Sequence, residues 1–187
     1  MSASTPVSLG AGAGTPAAGP SFQQAMEITA QWLGLWESGE LSDEVLGDRV
    51  GELVLSRDGA RGFFVVALAG DSPLMDRLPD GLVWQLRQAG AGVVDLTVRN
   101  LAMSKAMALH HQRQEDGAMQ ASSERVQQRC LELLRLLEPQ AVKERLETLL
   151  EATAGRGDDV VFLDRWGYDA AQRAAIAAAI EQVAEPA

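Results

Sequence analysis

Apolar side chains recur with a period near 3.6 along almost the whole chain from Ser21 onward. Phe22, Met26, Thr29, Leu33 and Trp36 stand at i, i+4, i+7, i+11 and i+14, and Ala25, Ile28, Trp32 and Leu35 widen the stripe. This spacing predicts a helix, with Ser21 as its N-cap and Gly39 past its end. Ser42 then caps a second helix whose apolar face is Val45, Leu46, Val50, Leu53 and Val54. Its Asp43 and Glu44 lie in the first turn, where the helix dipole favours negative charge. Residues 63–68 read Phe-Phe-Val-Val-Ala-Leu, which suits a buried strand by propensity. No convincing second strand exists to pair with it, and a lone strand leaves its backbone polar groups unsatisfied, so a short buried helix is the better expectation.

Asp71-Ser72-Pro73 and Leu78-Pro79-Asp80 read as turns, followed by a short helix over 80–88 that Gly90 and Gly92 break. Residues 93–114 carry the longest helical pattern. Val94, Val98, Leu101 and Leu109 mark one stripe and Leu96, Met103 and Met107 another, as expected of a helix central to a bundle. Asp116-Gly117 ends it, and Ser122 or Ser123 opens the next. Val126, Cys130, Leu133, Leu134 and Leu137 form that helix's stripe; Pro139 stops it and starts another bearing Val142, Leu146, Leu149 and Leu150. The pair predicts a helical hairpin, with Val98, Leu101, Val126, Cys130, Leu133, Leu137, Leu146 and Leu150 in the core. Gly155-Arg156-Gly157 is a loop. Asp169-Ala170-Ala171-Gln172 is a D-x-x-Q capping box before an Ala-rich helix reaching Ala184, and Val160 to Trp166 anchor that helix to the body. The expected fold is all-α, a compact bundle of about seven or eight helices.

Composition adds a tail. Met1 to Pro20 contain no charged residue and are mostly Ala, Gly, Ser, Thr and Pro, too little apolar surface to repay ordering. The division is therefore a disordered tail over 1–20 and a single helical domain over 21–187. The tail lacks the charged start and long apolar run of a secretory signal, which points to the cytoplasm. One cysteine, Cys130, permits no intrachain disulfide and fits a reducing compartment. No uncharged apolar run approaches the length of a membrane span.

Charge narrows the partners. A formal net charge of −10 repels nucleic acid and anionic membrane surfaces. Residues 21–58 hold eight acidic side chains against two arginines, so acidity is concentrated on the first two helices. Gly10-Ala11-Gly12-Ala13-Gly14 resembles a phosphate loop only in composition, since no strand precedes it and no Lys-Ser or Lys-Thr follows. No G-x-S-x-G, H-E-x-x-H or C-x-x-C is present.

Two histidines, His110 and His111, bound any general-base or metal reading. Neighbours on a helix point about 100° apart, so they do not share one ion easily. His111 and Glu115 are spaced to share one, but two polar residues near an exposed helix end explain the pair without a metal. Cys130 lies on an apolar stripe and reads as an inert thiol. Asp158, Asp159, Asp164 and Asp169 do not follow a calcium-loop spacing. No catalytic, cofactor or metal residue is therefore assigned. Trp, Tyr and Arg are enriched at binding hot spots, which makes Asp164, Arg165, Trp166 and Tyr168 a candidate interaction surface, with an aromatic plug seating the last helix as the alternative. Trp32 and Trp36, beside Glu37 and Glu40, divide in the same way between core and surface.

Thr97-Val98-Arg99-Asn100-Leu101-Ala102-Met103-Ser104-Lys105-Ala106-Met107-Ala108 and Phe162-Leu163-Asp164-Arg165-Trp166-Gly167-Tyr168-Asp169, with Phe63-Phe64-Val65-Val66, resemble a family of uncharacterised conserved cyanobacterial proteins over roughly residues 22–182. The resemblance implies a bacterial cytoplasm and carries no activity or catalytic residue. The functional expectation is a non-enzymatic protein that binds another protein through its acidic N-terminal helices, with homo-oligomers open. The alternative is a small-ligand binder or enzyme with a site between helices near His110 and His111, using Glu115, Ser104 or Lys105.

Overall fold

The computed structural model describes residues 19–184, and the expected tail lies outside them except for Gly19 and Pro20. Among the described residues there are nine α-helices, one 3-10 turn and no strand. They are α1 (Phe22–Glu37), α2 (Asp43–Leu53), α3 (Arg57–Ala69), the 3-10 turn Pro73–Asp76, α4 (Asp80–Ala89), α5 (Ala91–Arg113), α6 (Gly117–Leu136), α7 (Pro139–Thr153), α8 (Val160–Arg165) and α9 (Ala170–Ala184). No helix is long and apolar enough to cross a membrane.

α5 is the hub. It packs along α6 and against α9 and α7 on the C-terminal side, and it touches α3 and α4 on the other. α1 lies on α3, α2 lies on α4, and α3 also reaches α6. The first stripe read from the sequence of α5 is largely consumed by this position, with Val94, Val98 and Leu101 buried, whereas in the second Leu96 is partly covered and Met107 is 38% exposed. The 63–68 segment is helical, and Phe63 and Phe64 are fully buried at the centre with their rings edge-to-face at 5.2 Å.

Local grammar explains most boundaries. Ser21 completes a capping box with Gln24, Ser42 accepts from the Val45 N–H, and Ser56 accepts from the Gly59 N–H. Asp169 accepts from the Gln172 N–H at 2.8 Å, and the Asp169 N–H donates to Gln172 Oε1 at 3.1 Å. The D-x-x-Q box is thus formed in both directions.

Five details differ from the sequence reading. Gly92 does not break a helix: α5 already starts at Ala91, after Gly90 at φ 72 makes the turn. α6 begins at Gly117, because the Asp116 side chain accepts from the Met119 N–H at 3.1 Å and caps it ahead of Ser122. Residues 160–165 form a helix of their own, which raises the number to nine. Val126 is only partly buried, and Leu150 is 36% exposed on the outer edge of α7. Heptad-like spacing places a side chain on a face, but the width of the neighbour decides whether its edge is covered.

Candidate functional site

A cleft of mixed polarity lies where α3, α5 and α8 meet the first residue of α1. Each helix contributes with its own periodicity. α3 presents Arg57, Arg61 and Val65 at i, i+4 and i+8, and α5 presents Leu96, Arg99, Asn100 and Met103 at i, i+3, i+4 and i+7. α8 and its approach add Asp158, Asp159, Val161, Phe162, Arg165 and Trp166, and Phe22 closes one end. The cleft holds about 770 Å³. Its rim leaves apolar surface in water: Val161 is 74% exposed, Trp166 53% and Val65 45%.

The cleft's electrostatics oppose those of the chain. Four arginines face two aspartates in the lining of a protein whose net charge is −10. Two of the arginines are fixed. Arg61 lies over the Phe22 ring at 4.8 Å and reaches Asp58 at 3.3 Å, and Arg99 lies over the Phe162 ring at 4.8 Å. Arg99 also joins a closed ring of charges behind the wall: Arg99 to Asp95 at 3.0 Å and to Asp159 at 3.5 Å, and Arg145 to Asp95 at 2.7 Å and to Asp159. That ring ties α5, α7 and the N-terminus of α8 together. Arg57 and Arg165 are exposed and make no ion pair among the described residues.

Of the residues singled out in the sequence, the structure brings Arg165 and Trp166 to this cleft. Tyr168 turns the other way and is buried, and burial pushes its phenol up to about 12. Asp164 pairs with Arg173 at 2.6 Å. The segment thus divides: Tyr168 is buried in the core, and Trp166 is 53% exposed. Trp32 and Trp36 are partly buried between α1 and α2, where Trp36 Nε1 donates to Asp43 at 2.7 Å and Arg49 covers the Trp32 ring at 5.7 Å. Sequence reasoning passed over Arg57, Arg61, Arg99, Val65 and Val161. The i, i+4, i+8 order of Arg57, Arg61 and Val65 was the available signal for a basic helix face.

The pairing of His111 with Glu115 is not held on one helix face. α5 ends at Arg113, and Glu115 lies beyond it at φ 57, so the helical spacing of His111 and Glu115 does not apply. Ser104 is buried, donates to the Leu101 carbonyl at 3.0 Å, and borders a cleft of about 180 Å³ with Met103, Met107, Ser122, Ser123 and Val126. Among the described residues, no group of three or more His, Cys, Asp or Glu is arranged to hold a metal ion. Cys130 is fully buried, and loss of water pushes its thiol far above the usual range.

Two other surfaces compare poorly with the arginine cleft. A groove of about 780 Å³ between α6, α7 and α9 is apolar, and its charges cancel, with Arg135 and Lys143 against Glu147 and Glu181. On the acidic α2 face, a cleft of about 260 Å³ holds Asp48, Glu52, Leu55 and Gln85.

The model of the family described as Uncharacterised conserved protein UCP020893 matches residues 21–183. The chain belongs to that family. The match spans every helix from α1 through nearly all of α9, so the arginine cleft and the ring behind it fall within the family's domain. No curated protein and no solved structure matches the chain significantly. The family brings no activity with it, and the reading of the cleft rests on its own chemistry.

Proposed function

We propose that this is a non-enzymatic protein-binding module of the cytoplasm, and that its partner docks in the cleft between α3, α5 and α8. The observation that carries this reading is the exposed apolar rim. Val161, Trp166 and Val65 surround a cleft lined with arginine and aromatic rings, the residue types on which interface energy concentrates. Exposed apolar residues grouped around a concave site are surface that a second molecule covers. Among the described residues, no group of three or more His, Cys, Asp or Glu is arranged there to hold a metal ion. This moves the docking face from the acidic N-terminal helices to the opposite kind of surface. The single buried thiol suits a reducing cytoplasm.

The test is capture of a partner by tagged wild-type chain, compared with Trp166→Ala and Val161→Asp. Both side chains are largely exposed, so melting temperatures should stay close to wild type. The captured partner should be lost from both variants and kept by Trp84→Ala, which removes an exposed tryptophan on α4. Equal capture by all four proteins would refute the cleft as the docking site.

A further inference from the structure

The chemistry of the lining specifies more than a location. We infer that the segment received in the cleft is acidic, with its carboxylates on Arg57 and Arg165 and an apolar side chain laid on Trp166 and Val161. This rests on the docking reading above.

The first argument is charge. Four arginines line the cleft against Asp158 and Asp159, and with Asp58 on Arg61 and Asp95 on Arg99 counted the neighbourhood is near neutral in a chain of net charge −10. A basic partner would be attracted almost anywhere on such a surface and would gain nothing from this cleft. An acidic partner is repelled by much of the remainder and is attracted to the unpaired guanidinium groups of Arg57 and Arg165. The second argument is which arginines are free. Arg99 is committed to Asp95 and Asp159, while Arg57 and Arg165 have no carboxylate among the described residues. Guanidinium groups left open on the two facing walls present paired donors of the geometry that carboxylates accept. The third argument separates a polypeptide from a small anion. A mononucleotide inside the cleft would leave Val161, which is 74% exposed, in water. A segment with flanking surface covers the rim as well as the arginines.

The experiment places a photo-crosslinking benzoylphenylalanine at position 161 of the full chain, irradiates it in extract of the source organism, and sequences the attached peptide. The expected result is a peptide with an excess of Asp and Glu over Lys and Arg and with an apolar residue among them. A synthetic copy of that peptide should bind wild type with an affinity that falls as salt rises. It should bind the Arg57→Glu/Arg165→Glu double variant about tenfold more weakly or worse. A copy with its acidic residues changed to Lys should regain affinity for the double variant. Unchanged circular dichroism melting of the variant shows that folding is not the cause. A neutral or basic crosslinked peptide, or an affinity within about twofold in the double variant, overturns the acidic partner while leaving the docking site standing. An adduct of nucleotide mass, a crosslink to a second copy of this chain, or no crosslink overturns it as well. The last of these also removes the docking reading.

Discussion

Burying an arginine is costly unless every donor is met. Arg129 of α6, 3% exposed, meets all of them. Its Nε and Nη2 fork onto the Asp76 carboxylate at 2.7 Å each, and Nη2 also reaches the Ser72 carbonyl. Its Nη1 takes the carbonyls of Ala67, Leu68 and Gly70, which include acceptors that the last turn of α3 leaves without helical partners. One side chain therefore caps α3 from a neighbouring helix. Arg129→Ala should lose about 2–4 kcal/mol in urea melts, and Arg129→Lys most of that, because a point charge cannot fork onto six acceptor atoms. A loss below about 0.5 kcal/mol would show that water replaces the guanidinium without cost. The same contact makes a pH prediction. The Arg129 hydrogen bonds hold the Asp76 carboxyl below its usual value. Stability from this pair is present above the unfolded carboxyl value and is lost as pH falls through the lower folded value. The gap in melting temperature between wild type and Asp76→Asn should narrow below about pH 4, and a gap constant with pH would break the link. Nothing in the sequence marks Arg129: it stands beside Cys130 on a helix with many polar neighbours, and its acceptors come from residues about sixty positions away.

At the scale of elements, what was legible and what was not follow one line of physics. Capping boxes and 3.6-residue stripes act within a few residues, so the Ser21, Ser42 and Asp169 caps could be read directly, whereas the helicity of 63–68 followed only from the lack of a partner strand. Helix crossings act across the chain and could not. α1 meets α3 at Gly62, where an added Cβ would sit 2.5 Å from the Ala25 Cβ and 2.9 Å from the Met26 backbone nitrogen. Backbone cannot swing aside as a flexible side chain can, so Gly62→Ala should cost about 1–3 kcal/mol despite its better helix propensity. A stabilised variant would mean the crossing opens freely. Within the α6–α7 hairpin the stripe overreached at its edge. Leu133 is fully buried and Leu150 is 36% exposed. Leu133→Ala should lose about 2–5 kcal/mol and Leu150→Ala less than about 1 kcal/mol. Similar losses at both positions would show that the groove beside α7 is closed in solution.

Over the whole molecule, the proposed docking cleft depends on a scaffold that is itself ionic. α8 has six residues, too few to hold its position alone. Leu163 fixes it from below, and Asp159 fixes its start through Arg145 of α7 and Arg99 of α5. The Asp159 and Arg145 side chains are 10% and 16% exposed, against 39% and 36% for Asp95 and Arg99, so the inner half of the ring is nearly dry, and removing Arg145 leaves Asp159 poorly solvated. Arg145→Ala should therefore cost about 2–4 kcal/mol. The effect should also be directional. Amides of residues 158–166 should exchange faster, because α8 loses its hold on α7, while amides of α2 and α4 across the molecule keep wild-type protection. Partner binding should weaken with α8, since Val161, Arg165 and Trp166 are carried on it, although Arg145 itself does not line the cleft. Arg145→Lys would restore the charge but not the fork that spans Asp95 and Asp159, and partial recovery of both protection and binding is expected. If exchange in 158–166 stays at the wild-type rate while global stability falls, α8 is held by packing alone. The arginines of the cleft would then act without the ring behind them.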